Sequence, residues 1–256
     1  MKYLNNPLIT IITPTYNSEK TINSNLNSIA EQTYQNFEHL IIDNLSSDNT
    51  IETIKNNNSE KIIIYSEKDN GIFNAINKGI QKSKGDIISI LHSDDFFFNK
   101  YVLKNVVDAF NLNGVDAVYG DLLYVRRNQI NNIVRLWKSS NYKSGIFLKG
   151  WAPPHPCFFA NKMSYDRFGF YKEDLDNASD FELMYRFLEK NKISFKYLNK
   201  TLVVMRYGGE SNKSIKNIIK QNLTIIKILG INKNILKIIF FLLFKFLNRI
   251  QQFYKR

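Results

Sequence analysis

Apolar residues in the first half of the chain come in short runs separated by longer amphipathic stretches. Leu8–Thr13, Phe37–Ile42, Lys61–Tyr65, Asp86–Leu91 and Asp116–Val125 read as strands. Glu19–Gln32, Asn49–Asn56, Ile72–Ser83 and Tyr101–Leu112 place their apolar residues at helical spacing. Asn17-Ser18, and Asn49 with Glu52 three residues on, resemble helix starts, while Gly85 and Gly114 follow helix ends. Strands alternating with longer helices predict βαβ units, hence an α/β fold: a Rossmann-like sandwich around a mainly parallel central sheet.

The second half is less regular. Arg135–Lys138 reads as a short strand, and residues 150–156 (Gly-Trp-Ala-Pro-Pro-His-Pro) as a stiff loop. Cys157–Ala160 reads as a strand, Ser179–Lys190 as a helix, and Ile193–Tyr207 as one or two strands. After Gly208-Gly209 the pattern is helical to the end. The expected organisation is one domain over residues 1–210 and a helical tail over 211–256.

Charge sharpens that division. The 256 residues carry a formal net charge of +12. Residues 200–256 hold 12 Lys and Arg against the single acid Glu210, so +11 sits there and +1 on the rest. A generally basic nucleic-acid binder is therefore not expected. Within the tail, Lys213, Lys216, Asn217, Lys220, Thr224 and Lys227 form one polar face. Asn234, Lys237, Lys245, Asn248, Arg249, Gln252 and Lys255 form a second, interrupted at Phe241. Such a cationic amphipathic tail suits an anionic membrane surface. Packing on its own domain, or on a partner in a homodimer, is the alternative.

Hydrophobic content of 44% excludes wholesale disorder, and the lone Cys157 excludes a disulfide framework or a cysteine-based metal cluster. No stretch reads as a signal peptide. The longest uninterrupted apolar run, Ile238–Phe244, is far short of the roughly 20 residues a bilayer span needs. The expected location is cytoplasmic, peripheral on the inner face of the plasma membrane.

Ligands of open α/β sheets gather beyond the carboxyl ends of the strands. Those ends read Thr13-Pro14-Thr15-Tyr16-Asn17, Asp43-Asn44, Ser66 to Gly71, and His92-Ser93-Asp94-Asp95. Neither a P-loop nor a G-x-G-x-x-G turn is present, so the usual phosphate devices are missing. An acidic rim repels a diphosphate unless a hard cation bridges them, and Mg²⁺ or Mn²⁺ with carboxylate and phosphate oxygens fits. Each piece also has a bland reading. Asp94-Asp95 suits a turn, Asp43 a helix cap, and Ser179-x-x-Glu182 a capping box with Asp180 in the first turn.

Taken together these segments resemble family 2 glycosyltransferases of the GT-A fold. The matching pieces are Thr13–Asn17, Ile41–Thr50, Ser66–Ile80 and Gly85-Asp86 leading to Ser93-Asp94-Asp95, in order and at the right spacing. The resemblance covers about residues 7–210 and implies an inverting, metal-dependent transfer from a nucleotide-diphosphate sugar, most often a UDP-sugar. It implies that Thr13, Pro14, Thr15, Tyr16 and Asn17 wall the nucleotide pocket, and that Asp43 contacts the base. Asp69, Gly71, Asn74 and Lys78 would lie in the segment closing over base, ribose and diphosphate. Asp95 is the favoured metal ligand, with Asp94 facing ribose or metal, and Asp180 matches the general base.

Asn44 and His92 depart from the common pattern, which often has Asp at both positions, and His92 reads as a spectator. His155 is read as an acceptor or diphosphate contact, or equally as a satisfied loop histidine. Trp151 and Tyr207 suit stacking on a sugar or ordinary core packing. Gly208–Ser211 suits a flap over the donor or a plain joint to the tail. No Gln-x-x-Arg-Trp motif of processive synthases is present, which favours a single transfer to a glycan or lipid-linked acceptor in surface-polysaccharide synthesis. A sugar-nucleotide pyrophosphorylase, or a degenerate transferase acting as a membrane-bound assembly partner, is the alternative.

Overall fold

The computed structural model describes residues 6–208 and 215–254. Gly209, Glu210 and Ser211 of the flap segment, and Lys213 and Lys255 of the tail, lie outside the described residues.

The alternating pattern folds as expected. Strands β1 (Ile9–Thr15), β2 (Phe37–Asp43), β3 (Ile62–Ser66) and β4 (Ile87–Ile90) alternate with helices α1 (Ile22–Ala30), α2 (Thr50–Lys55) and α3 (Ile72–Lys82). The order β3-β2-β1-β4 is parallel throughout. β1 and β2 are buried at every position because helices cover both faces, which is why they read as continuous apolar runs. Ile12, Leu40 and Ile42 enter one core beneath α3, while Ile9 and Ile11 enter the other. Contact beneath α3 is close: a Cβ on Gly79 would lie 2.5 Å from Ile12 Cγ2.

The remaining strands extend this into a nine-stranded mixed sheet. β5 (Phe96–Phe97) and α4 (Val102–Asn113) precede a long hairpin, β6 (Ala117–Arg126) and β7 (Gln129–Trp137). β8 (Phe158–Asn161) runs antiparallel between β4 and β6, and β9 (Phe195–Tyr207) runs parallel to β6. Helices α5 (Lys162–Phe168) and α6 (Ser179–Tyr185) lie between β8 and β9. Short β5, the first half of β7 and α5 were not foreseen. Asn131-Asn132 interrupts the alternation of β7, and α5 starts at a local cap, where Asn161 Oδ1 accepts from Ser164 N at 2.8 Å.

The tail forms α7 (Ile215–Ile228) and α8 (Ile235–Tyr254), both packed on the body of the protein. α7 is tied by Gln221 Nε2, which donates to Asn177 O at 2.6 Å. α8 crosses the 150–155 loop at Gly150, whose φ is +65° and whose Cβ would sit 2.5 Å from Lys245 Cβ. Only glycine allows that approach.

The orientation of α8 reverses the usual amphipathic arrangement. Phe241, Lys245, Asn248 and Gln252 face inward, whereas Leu236, Ile239, Leu243 and Phe246 are exposed. The Phe241 that interrupts the polar stripe is the fully buried residue on which the stripe docks. Among the described residues no helix is long and apolar enough to cross a membrane.

Candidate active site

The loops after β1, β2 and β3 are laced to one another. Asp43, the last residue of β2, is fully buried. Its carboxylate accepts from Ser46 N at 3.1 Å, Ser46 Oγ at 2.5 Å and Ser66 Oγ at 2.6 Å. The carboxylate that the resemblance assigns to the nucleotide base thus ties the loops after β2 and β3 together. Asn17, with φ of 47°, accepts from Ser47 N through Oδ1 at 2.9 Å. Asn17-Ser18 therefore joins two loops, and the expected helix start falls at Thr21. Thr13 is buried and shares a 2.8 Å hydrogen bond with His39, so its side chain belongs to the sheet. Pro14 and Thr15 end the same strand, and Tyr16 beyond them is exposed.

Asn44, where Asp is common, accepts from Asp69 N through Oδ1 at 2.9 Å. An acceptor is needed there, and an amide serves without adding charge. Asp69 then accepts from Gly71 N at 2.8 Å, which fixes the turn into α3 at a φ of 115°. Asn74 donates to Glu173 at 3.0 Å. Lys78 donates to Lys68 O at 2.8 Å and pairs with Glu67 at 3.4 Å. Asn70, Gly71 and Asn74 line a cavity of about 340 Å³ whose opposite wall is α7.

The turn His92–Asp95 follows β4, at the point where strand order reverses. Ser18 and Ser93 share a 2.8 Å hydrogen bond that joins it to the β1 loop. Asn25 on α1 clamps it, donating to His92 O at 3.0 Å and Asp95 O at 3.1 Å. Arg206 on β9 donates to Asp94 O and to Ser24 Oγ. Asp94 keeps 26% of its side chain exposed and pairs with Arg127 at 3.3 Å.

Asp95 has no exposed surface, and neither carboxylate oxygen has a hydrogen-bond partner. Burial, helped by the neighbouring Asp94, raises its pKa well above the usual carboxylate value. Asp94 presents its carboxylate to solvent, and Asp95 lies behind it. Two orphaned oxygens beside an exposed carboxylate fit a hard cation, whose coordination they would complete only in part. Among the described residues no group of three potential ligands forms a self-sufficient metal site, so substrate oxygens would supply the rest.

Asp180 stands in the first turn of α6, with 22% of its side chain exposed. His155 Nδ1 lies 3.4 Å from Asp180 Oδ2, and the rings of His92 and His155 meet edge-on at 5.6 Å. Desolvation raises the Asp180 pKa to about 6, outweighing the opposing pull of His92. Burial lowers His155 to about 4, so it is neutral where Asp180 ionises and their contact is polar rather than ionic. The expected capping box is not formed. Ser179 Oγ donates to Lys172 O at 2.6 Å, and Glu182 is held by Arg186 at 3.0 Å and Lys172 at 3.2 Å. A helix N-terminus favours an ionised carboxylate, but at Asp180 burial outweighs it.

From Asp180 and His155 a cavity of about 450 Å³ runs between β7, the 150–155 loop and α8. Trp151 lines it, packed edge-on against Phe147 at 5.6 Å, with a buried indole N–H that has no partner.

The family model for glycosyl transferase family 2 matches residues 10–170. The chain belongs to that family. Its match to the E. coli "UDP-Glc:alpha-D-GlcNAc-diphosphoundecaprenol beta-1,3-glucosyltransferase WfgD" is 33% identical over 125 residues, covering 48% of this chain and 49% of WfgD. An uncharacterized glycosyltransferase of Haemophilus influenzae is 38% identical over 106 residues, 40% of this chain and 42% of the relative. The chain thus spans about half the length of such curated relatives. S. aureus TarS 1-349 superposes with a TM-score of 0.66 at 19% identity, covering 93% of this chain and 71% of TarS. The mannosyltransferase PcManGT from Pyrobaculum calidifontis, solved with GDP-Man and Mn²⁺, gives 0.63 at 19%, covering 88% and 63%. These two likenesses confirm the GT-A fold.

Family membership leaves the pyrophosphorylase alternative without support. It also puts the residues missed from sequence in context. His92 meets the ring of His155, which in turn contacts Asp180. Arg127 and Arg206 hold Asp94 from two different strand ends. A charged residue closing the apolar run Leu202–Met205 was the one available hint of Arg206.

Proposed function

We propose that this family 2 chain is an inverting glycosyltransferase that moves one sugar from a nucleotide-diphosphate donor, a UDP-sugar above all, to a glycan or lipid-linked acceptor. The observation that carries the proposal is the run of contacts from Asp180 through His155 to His92, the first residue of the His92–Asp95 turn. WfgD, and a Mycobacterium bovis relative named "PGL/p-HBAD biosynthesis glycosyltransferase", support a role in surface polysaccharide or glycolipid synthesis. TarS solved with UDP-GlcNAc supports the donor class.

In this reading Asp180 takes the proton of the acceptor hydroxyl as it attacks the anomeric carbon from the face opposite the leaving diphosphate. His155, neutral, fixes the carboxylate through its 3.4 Å contact. Asp94 and Asp95 would hold Mg²⁺ or Mn²⁺, which when bound acts as Lewis acid toward the diphosphate. The laced loops from Thr15 to Asn17 and Asp69 to Asn74 wall the nucleotide, with Asp43 setting their shape.

The test is release of nucleotide diphosphate from a panel of donors across pH 5 to 9. A base with a pKa of about 6 is inactive when protonated, so turnover falls as pH drops below it. The expected profile loses about tenfold per pH unit on the acid side. Absence of release from every donor, or a profile flat through pH 6, would refute this assignment.

The outward apolar face of α8 fits a peripheral place on an anionic membrane. Leu236 and Phe246 are exposed, while Lys233 and Lys237 supply charge beside them. Leu236→Ser with Phe246→Ser should weaken sedimentation with phosphatidylglycerol vesicles and spare monomeric mass. Unchanged sedimentation would count against the membrane, and loss of a dimer instead would assign the face to a second copy.

A further inference from the structure

The cavity beyond Asp180 has walls of two kinds. Trp137, Met184, Ile225 and Phe241 make it apolar. Arg135, Lys138, Lys245 and Arg249 also line it, and the one acid among its described residues is Asp180 at its inner end. Arg135 is 6% exposed, its Nε has no hydrogen-bond partner, and its guanidinium stacks on Tyr124 at 3.9 Å. Lys245 Nζ donates to Asn222 Oδ1 at 2.7 Å, a neutral partner. Neither Arg135 nor Lys245 forms an ion pair among the described residues.

Burial of cations without counter-charge is costly, and proteins retain it where a ligand brings the charge. The strain is visible at Lys245, whose pKa is lowered to about 8 by burial and by the nearby Arg249. The inward turn of the α8 polar stripe has the same sense. A helix that served only to pack would bury its Ile, Leu and Phe face. This one places Lys245 and Arg249 against the cavity and leaves Ile239, Leu243 and Phe246 outside.

We infer that this cavity binds a phosphate or diphosphate ester carried on an apolar chain, and that Arg135 and Lys245 are its anion contacts. The ester would be the acceptor's own, which rests on the glycosyltransferase reading, and it would set the acceptor hydroxyl beside Asp180. Arg135 supplies a planar, permanently charged donor and Lys245 a movable one. The apolar walls receive the first carbons of the chain, and the outward face of α8 leads toward the lipid phase from which it would come.

The chain provides its own reporter, because its two tryptophans, Trp137 and Trp151, both line this cavity. The experiment is fluorescence titration of the full chain, saturated with UDP and excess Mg²⁺ so that the donor site is filled. The probe is farnesyl diphosphate, with farnesol and phosphatidylglycerol vesicles as separate arms. Saturable quenching by farnesyl diphosphate and not by farnesol is expected. Lys245→Met should raise its dissociation constant about tenfold or more, and Lys245→Arg should restore most of the affinity.

Equal response to farnesol, or no change in Lys245→Met, would overturn the inference. Quenching by the vesicles alone would also overturn it, since the cavity would then serve membrane headgroups. Calorimetric UDP binding on each preparation reports folding and separates the two claims. UDP binding without farnesyl diphosphate binding sinks the cavity proposal only, whereas the reverse sinks the glycosyltransferase reading.

Discussion

Asn in place of Asp180 is expected to lower turnover by about 10²–10⁴-fold and leave UDP affinity where it was. The amide keeps the size of the side chain and its 22% exposed position at the start of α6, so the pocket should not collapse. What it removes is the proposed proton acceptor. Asp180 suits that task because burial has brought its pKa to about 6. At pH 7 about nine in ten molecules carry the carboxylate, yet it is a stronger base than an exposed Asp. The sign is fixed: protonation below pH 6 mimics the Asn variant, so the wild type at pH 4 and the variant at pH 7 should approach each other in rate. Calorimetry with UDP and a rate assay on the same sample decide the matter. Turnover unimpaired in Asp180→Asn removes the residue as base, and loss of UDP binding with the rate would make it a structural residue instead.

Much of this site was legible because it is built at strand ends, and strand ends follow from the alternation of apolar runs and helices. Asp43, Asp69 and Asp94 fall where that alternation puts them, whereas Asp180, at the start of α6 in the less regular half, was singled out by the family resemblance alone. What could not be read was side-chain direction. Asp43 and Asp95 look alike in sequence to any exposed turn carboxylate, and both are fully buried. His92 and His155 meet only because β8 returns antiparallel beside β4, a pairing that no local pattern encodes. The polar stripe of α8 was plain in its spacing, but periodicity gives two faces and not which one turns inward. Gly150 settles that, since α8 can approach the loop closely only where a side chain is missing. Its neighbours in sequence give no sign of it.

Alanine at Asp94 is expected to abolish the Mn²⁺-dependent part of UDP binding, and Asn at Asp95 to do the same without loss of stability. Asp94 is the exposed carboxylate of the proposed metal pair, so its loss should remove one oxygen ligand. Asp95 stands behind it with two unpartnered oxygens and a pKa raised well above the usual value. A carboxyl with a raised folded-state pKa favours folding while protonated and costs stability as pH rises through the range where it ionises. At pH 7.5 a neutral Asn of the same shape avoids that cost. The metal-free Asp95→Asn protein should therefore melt no lower than wild type, while its Mn²⁺- and UDP-induced thermal shift disappears. That pairing of a retained or gained Tm with a lost shift is what a position kept for binding would show. A variant that melts lower and still shifts with Mn²⁺ and UDP would mean that Asp95 braces the turn against Arg206 and holds no cation. Unchanged calorimetric heats in Asp94→Ala would remove the metal assignment from the pair altogether.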